Sequence, residues 1–94
     1  MVGVTGREYG FAPNRVTVLS GGGPITLRFT NKGSLAHDLR VFHGGRDVGG
    51  TPAFQGGSRT ATLNLAPGDY RMVCTVGDHA QLGMTGLLRV RARN

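Results

Sequence analysis

Three side chains within eleven residues hold most of the chemistry this sequence can do: Cys74, His79 and Met84, spaced C-x4-H-x4-M. A thiolate, an imidazole and a thioether form a soft ligand set that suits copper in both oxidation states. Zinc favours further thiolates, imidazoles or carboxylates and has little use for a thioether. A fourth ligand must come from elsewhere, and His37, at the head of the segment His37-Asp-Leu-Arg-Val-Phe42, is the candidate. Two imidazoles, one thiolate and a weak axial thioether make the type 1 arrangement for a single copper ion. Taken singly, each residue has a plainer role: a buried thiol or nucleophile at Cys74, a strand-end histidine at His37, core packing at Met84. The ordered set favours ligation.

Positioning these groups falls to short strands. Apolar residues alternate with polar ones at Val16 and Val18, at Ile25, Leu27 and Phe29, at Leu39 and Val41, at Ala61, Leu63 and Leu65, at Tyr70, Met72 and Cys74, and at Leu88 and Val90. Period two means one buried face and one wet face. Turn signals separate the runs at Ala12-Pro13-Asn14, Ser20 to Pro24, Asn31 to Ser34 and Ala66 to Asp69. No segment keeps a helical apolar stripe. The pattern predicts an all-β fold, an antiparallel Greek-key β-sandwich of about seven to eight strands. Cys74 closes its run, so its sulfur should face the buried side. The glycines beyond it permit a tight loop returning His79 and Met84 over the same point. The segment His43 to Gly57 has six glycines and no alternation, and it reads as the long crossing between the two sheets. Residues 1–94 are read as one domain, since a chain of 94 residues is too short for two cores.

Composition narrows the class. Seventeen glycines without a collagen-like period read as turns. The net charge of +6, from eleven Lys+Arg against five Asp+Glu, favours acidic partners. Nucleic acid is a poor candidate, because the basic residues are scattered and no recognition motif accompanies them. Arg89, Arg91 and Arg93 alternate on the terminal strand and read as one solvated face. No stretch approaches the roughly 20 apolar residues of a membrane span, so no insertion by this domain is expected. The opening residues lack the pattern of a signal peptide.

With these residues in view, the chain resembles a small cupredoxin of the plastocyanin-like and auracyanin-like group. The likeness runs through Glu8-Tyr-Gly-Phe11-Ala-Pro13 with Val16-Thr-Val18, then Asn31-Lys-Gly-Ser-Leu-Ala-His37-Asp38-Leu39. It ends with Pro67-Gly-Asp-Tyr70 leading to Cys74, His79, Met84 and Gly86-Leu-Leu-Arg-Val90. The resemblance implies copper at one end of the sandwich and outer-sphere electron transfer between redox proteins. It implies His79 as the electron port, ringed by Ala80 and Leu82 with Leu35, Ala36 and Pro13. It also implies work on a periplasmic or extracellular face, and a monomer. The family commonly carries Pro-Gly just before the second histidine, where this chain has Gly77-Asp78. Losing the proline loosens the loop, and Asp78 adds a negative charge that should stabilise Cu(II) over Cu(I). Asp38 is read either as a brace accepting a backbone N–H from the Cys74 loop or as a simple turn cap. Tyr70 reads as a tyrosine corner, and His43 as a surface residue without a ligand role.

Competing functions fare worse. Three histidines cannot build a trinuclear copper oxidase cluster, and one cysteine cannot build a binuclear copper centre. A cysteine–histidine nucleophile leaves Met84 and the strand pattern unexplained. Copper storage or delivery is the alternative to electron transfer, as is an electron-transfer domain excised from a larger copper redox complex.

Overall fold

The structure, a computed structural model, describes residues 1–20 and 22–93. Among the described residues there are nine strands: β1 (Val2–Arg7), β2 (Gly10–Ala12), β3 (Arg15–Ser20), β4 (Ile25–Asn31), β5 (Arg40–His43), β6 (Arg46–Gly50), β7 (Gly57–Leu63), β8 (Gly68–Val73) and β9 (Thr85–Ala92). They form a sheet of order β2-β1-β4-β7 facing a larger one of order β3-β9-β8-β5-β6. This is the expected sandwich with more strands, and its sheets are mixed rather than wholly antiparallel. β1 runs parallel to β4, and β3 runs parallel to β9.

The alternation read from the sequence is the core. Ile25, Leu27, Phe29 and Asn31 point inward from β4, Tyr70 and Met72 from β8, and Leu88 and Val90 from β9. Phe29 sits at the centre, edge-on to both Phe11 and Phe54 at 5.7 Å between ring centroids. Such pairs add to the area they bury. Gly6 of β1 leaves the room Phe29 needs, since a Cβ there would lie 2.5 Å from its ring.

The segment from His43 to Gly57 is only partly a crossing. It first turns back at Gly44-Gly45 and lays β6 antiparallel to β5, then passes to β7 in the other sheet. Leaving it, Phe54 exchanges two backbone hydrogen bonds with His37. β5 begins only at Arg40, so His37 stands ahead of the strand, held by that bridge.

Asn31, buried at the end of β4, organises the turn that follows. Its amide donates to the carbonyls of Leu35 and Phe54, and its oxygen accepts from Gly33 N–H. These bonds fix the 31–35 turn beside His37. The connections β1–β2, 31–39 and 74–84 thus meet at one end of the sandwich. The turns at 22–24, 43–46 and 64–67 lie at the other. Among the described residues no helix is long and apolar enough to cross a membrane.

Candidate metal centre

Cys74 follows β8 directly, and the strand's alternation turns its sulfur inward, where the residue is fully buried. The loop after it is short and internally bonded. His79 N–H donates to the Val76 carbonyl, Met84 N–H to the His79 carbonyl, and Cys74 N–H to the Met84 carbonyl. The last bond closes the loop on itself, so Cys74, His79 and Met84 form one unit. Gly77, at φ +49°, supplies the left-handed residue that begins the turn.

His37, Cys74 and His79 offer ligand atoms that all lie within 4.8 Å of one another. The Cys74 Sγ is 3.5 Å from His79 Nδ1 and 3.8 Å from His37 Nδ1. Cys74 and His37 are fully buried, whereas His79 keeps 7 % of its surface exposed. Met84 is fully buried at the foot of the same loop, with its terminal methyl turned toward β1 and Gly6. Two imidazole nitrogens and a sulfur converging this closely fit a thiophilic metal ion. Burial pushes the Cys74 thiol pKa up, opposed by the backbone N–H groups of Asp38 and Val76 at the sulfur.

Asp38 is the brace of the two readings considered. Its carboxylate accepts the Thr75 backbone N–H at 2.7 Å and the Thr75 hydroxyl as well. The segment carrying His37 is thereby tied to the segment carrying Cys74. Tyr70 is a tyrosine corner, its hydroxyl donating to the Ala66 carbonyl at 2.6 Å. His43 is exposed on the β5–β6 turn and packs on the Tyr70 ring, far from the ligand cluster. Asp78 is exposed.

The acid that touches one of the candidate ligands is one to which the sequence reading gave no role. Glu8, in the β1–β2 turn, lies 2.6 Å from His37 Nε2 and accepts the backbone N–H groups of Ser34 and Leu35. Those bonds, the two backbone ones first, lower its carboxyl pKa to about 2. An ionised carboxylate only accepts, so His37 Nε2 carries the hydrogen and Nδ1 presents its lone pair to the cluster. The next residue, Tyr9, packs its ring on His79 at 5.0 Å. Leu35, Leu82 and Tyr9 are exposed around this end. In sequence Glu8 appears only as part of the motif Glu8-Tyr-Gly-Phe11-Ala-Pro13, with nothing to pair it with His37.

No protein-family model matches the sequence, and no curated protein matches it. Solved structures do. Reduced auracyanin from the photosynthetic bacterium Roseiflexus castenholzii superposes with a TM-score of 0.86 at 23 % identity, covering 96 % of this chain and 95 % of that one. Auracyanin A, a "blue" copper protein from Chloroflexus aurantiacus, gives 0.75 at 24 % identity, covering 96 % and 97 %. Oxidised plastocyanin from Dryopteris crassirhizoma gives 0.74 at 23 % identity, covering 96 % and 100 %. Nearly the whole of each chain is matched, and the fold of this chain is the cupredoxin fold.

Proposed function

We propose that the protein is an electron carrier holding one copper ion on His37, Cys74, His79 and Met84. The observation that carries this is the buried convergence of two imidazole nitrogens and one thiol sulfur within 4.8 Å, in a fold shared with a blue copper protein. The donor set fits copper: two imidazole nitrogens and a thiolate would hold it strongly and the Met84 thioether weakly, a set that suits both Cu(I) and Cu(II). Copper, when bound, supplies a one-electron couple. The chain's part is to hold the donors rigidly through the closed 74–84 loop, the His37–Phe54 bridge and the Asp38–Thr75 bonds. Rigid donors keep the reorganisation small when the electron moves.

His79 is the side chain through which the electron passes. It alone of the three clustered donors reaches the surface, among the exposed Leu35, Leu82 and Tyr9. A small apolar contact with charged surroundings suits a brief encounter. The partners are redox proteins, and the net charge of +6 favours acidic ones. The protein acts as a monomer on a periplasmic or extracellular face. It is a carrier rather than an enzyme, because protein donors fill the strong positions and leave no place for a substrate.

The test is the visible spectrum after adding Cu(II) to the purified metal-free protein. A strong thiolate-to-copper charge-transfer band, bleached by ascorbate and restored by air or ferricyanide, is expected. A colourless protein with Cys74 still titrating as a free thiol would remove the assignment. Repeated redox cycling without loss of copper separates a carrier from a delivery protein.

A further inference from the structure

The β1–β2 turn sets two consecutive side chains against the two imidazoles, Glu8 on His37 and Tyr9 on His79. Nothing in the donor chemistry requires a carboxylate there. The surrounding residues nonetheless make room for it. A Cβ on Gly33 would lie 2.1 Å from Glu8 Oε1 and 2.9 Å from His37 Nε2, so the contact exists only because position 33 has no side chain. Ser34 and Leu35 aim their N–H groups at the same carboxylate, leaving it a single orientation. His37 is fully buried, and Glu8 is the partner of its Nε2.

We propose that Glu8 is a positioning residue that holds His37 with Nδ1 turned to the metal and, through its charge, biases the site toward Cu(II). This rests on the copper reading above. A histidine ligand whose outer N–H meets a carboxylate is held in one tautomer and becomes a stronger donor. The negative charge, one imidazole away from the metal, attracts a dication more than a monocation. Asp78, the acid that the sequence suggests for this tuning, is exposed, as Glu8 is, so water screens both and contact with the imidazole separates them. The Glu8 carboxylate is hydrogen-bonded to His37 Nε2 at 2.6 Å, whereas the Asp78 carboxylate makes no such bond to His79, so the larger effect belongs to Glu8.

Two measurements test this. Nitrogen-15 NMR of the metal-free protein reads which nitrogen of His37 carries the hydrogen. Voltammetry of the copper-loaded protein reads the potential. Wild type should show His37 protonated at Nε2. Glu8→Gln, which keeps the shape and loses the charge, should shift the couple toward Cu(I) about tenfold, or about 59 mV for one electron. Gly33→Ala retains every charge but displaces the carboxylate, and should raise the potential in the same direction. Asp78→Asn should move it less than Glu8→Gln does. A turn that merely caps the 33–35 backbone would alter thermal stability in these variants and leave the potential within twofold of wild type. That result, or a wild-type His37 protonated at Nδ1, overturns the proposal. Absence of the thiolate–copper band would instead overturn the copper reading and the charge half of the proposal, while the tautomer still decides the positioning half.

Discussion

At the residue scale, the site depends on carboxylates and a thiol that have little freedom to be anything else. Cys74→Ser keeps the volume and should fold, but it should abolish the charge-transfer band, because a hydroxyl is not a soft anionic donor. Unchanged colour in that variant would put the copper elsewhere. Asp38→Ala removes both acceptors of Thr75 and leaves its N–H without a partner, which costs about 1–3 kcal/mol in denaturant unfolding. Copper affinity should fall about 10- to 100-fold, as is usual when a group supporting the ligands is lost. Stability falling without any change in copper affinity would reduce Asp38 to a turn cap. The convergence of His37, Cys74 and His79 was largely legible in sequence because local rules act on one segment: strand alternation turns Cys74 inward, and a ten-residue loop returns His79 and Met84. Glu8 was not legible, because it meets His37 across 29 positions of sequence and no local pattern encodes that contact.

At the scale of elements, the strands that were missed are those without alternating bulk. β1 places Val4 and Gly6 inward, and the second of these is small because Phe29 fills the space above it. β6 is an edge strand, Arg46-Asp-Val-Gly-Gly50, with no buried residue. Its pairing to β5 comes from the Gly44-Gly45 turn and from the ion pair of Arg40 with Asp47, not from hydrophobic pattern. β2 is three residues long, too short for any periodicity. The parallel pairings β1–β4 and β3–β9 depend on which chain ends meet in space, which alternation does not record. The tyrosine corner was legible, because Pro67-Gly-Asp-Tyr70 carries its own turn signal. Tyr70→Phe deletes the hydroxyl that donates to Ala66 and keeps the ring in the core. Unfolding free energy should fall by about 0.5–1.5 kcal/mol, with the copper spectrum unchanged, since the bond lies at the end of β8 away from Cys74. A shifted spectrum would mean that the two ends of the strand are coupled.

At the scale of the molecule, charge is distributed unevenly along its 41 Å length. Three of the five acids, Glu8, Asp38 and Asp78, stand at the site end together with Arg7, Arg15 and Lys32, and the other two acids are ion-paired to Arg40 and Arg89 on the large sheet. Arg46, Arg91 and Arg93 lie toward the opposite end. A reagent approaching His79 therefore meets a nearly balanced local surface within the field of the whole molecule, whose net charge is +6. Salt sets how far that field reaches, because the Debye length falls from about 30 Å at 0.01 M to about 8 Å at 0.15 M. At low salt the whole molecule is felt, so an anionic oxidant such as ferricyanide should react with the reduced protein faster than a cationic cobalt complex of matched driving force. Raising the salt to 0.15 M should slow the anionic reaction roughly tenfold, within the range steering can supply. The cationic one should quicken or stay level, because salt screens its repulsion by the same positive charge. Stopped-flow rates across that span measure both. If the two reagents respond alike, the approach to His79 is governed by the apolar contact of Leu35, Leu82 and Tyr9, and the basic charge serves solubility rather than encounter.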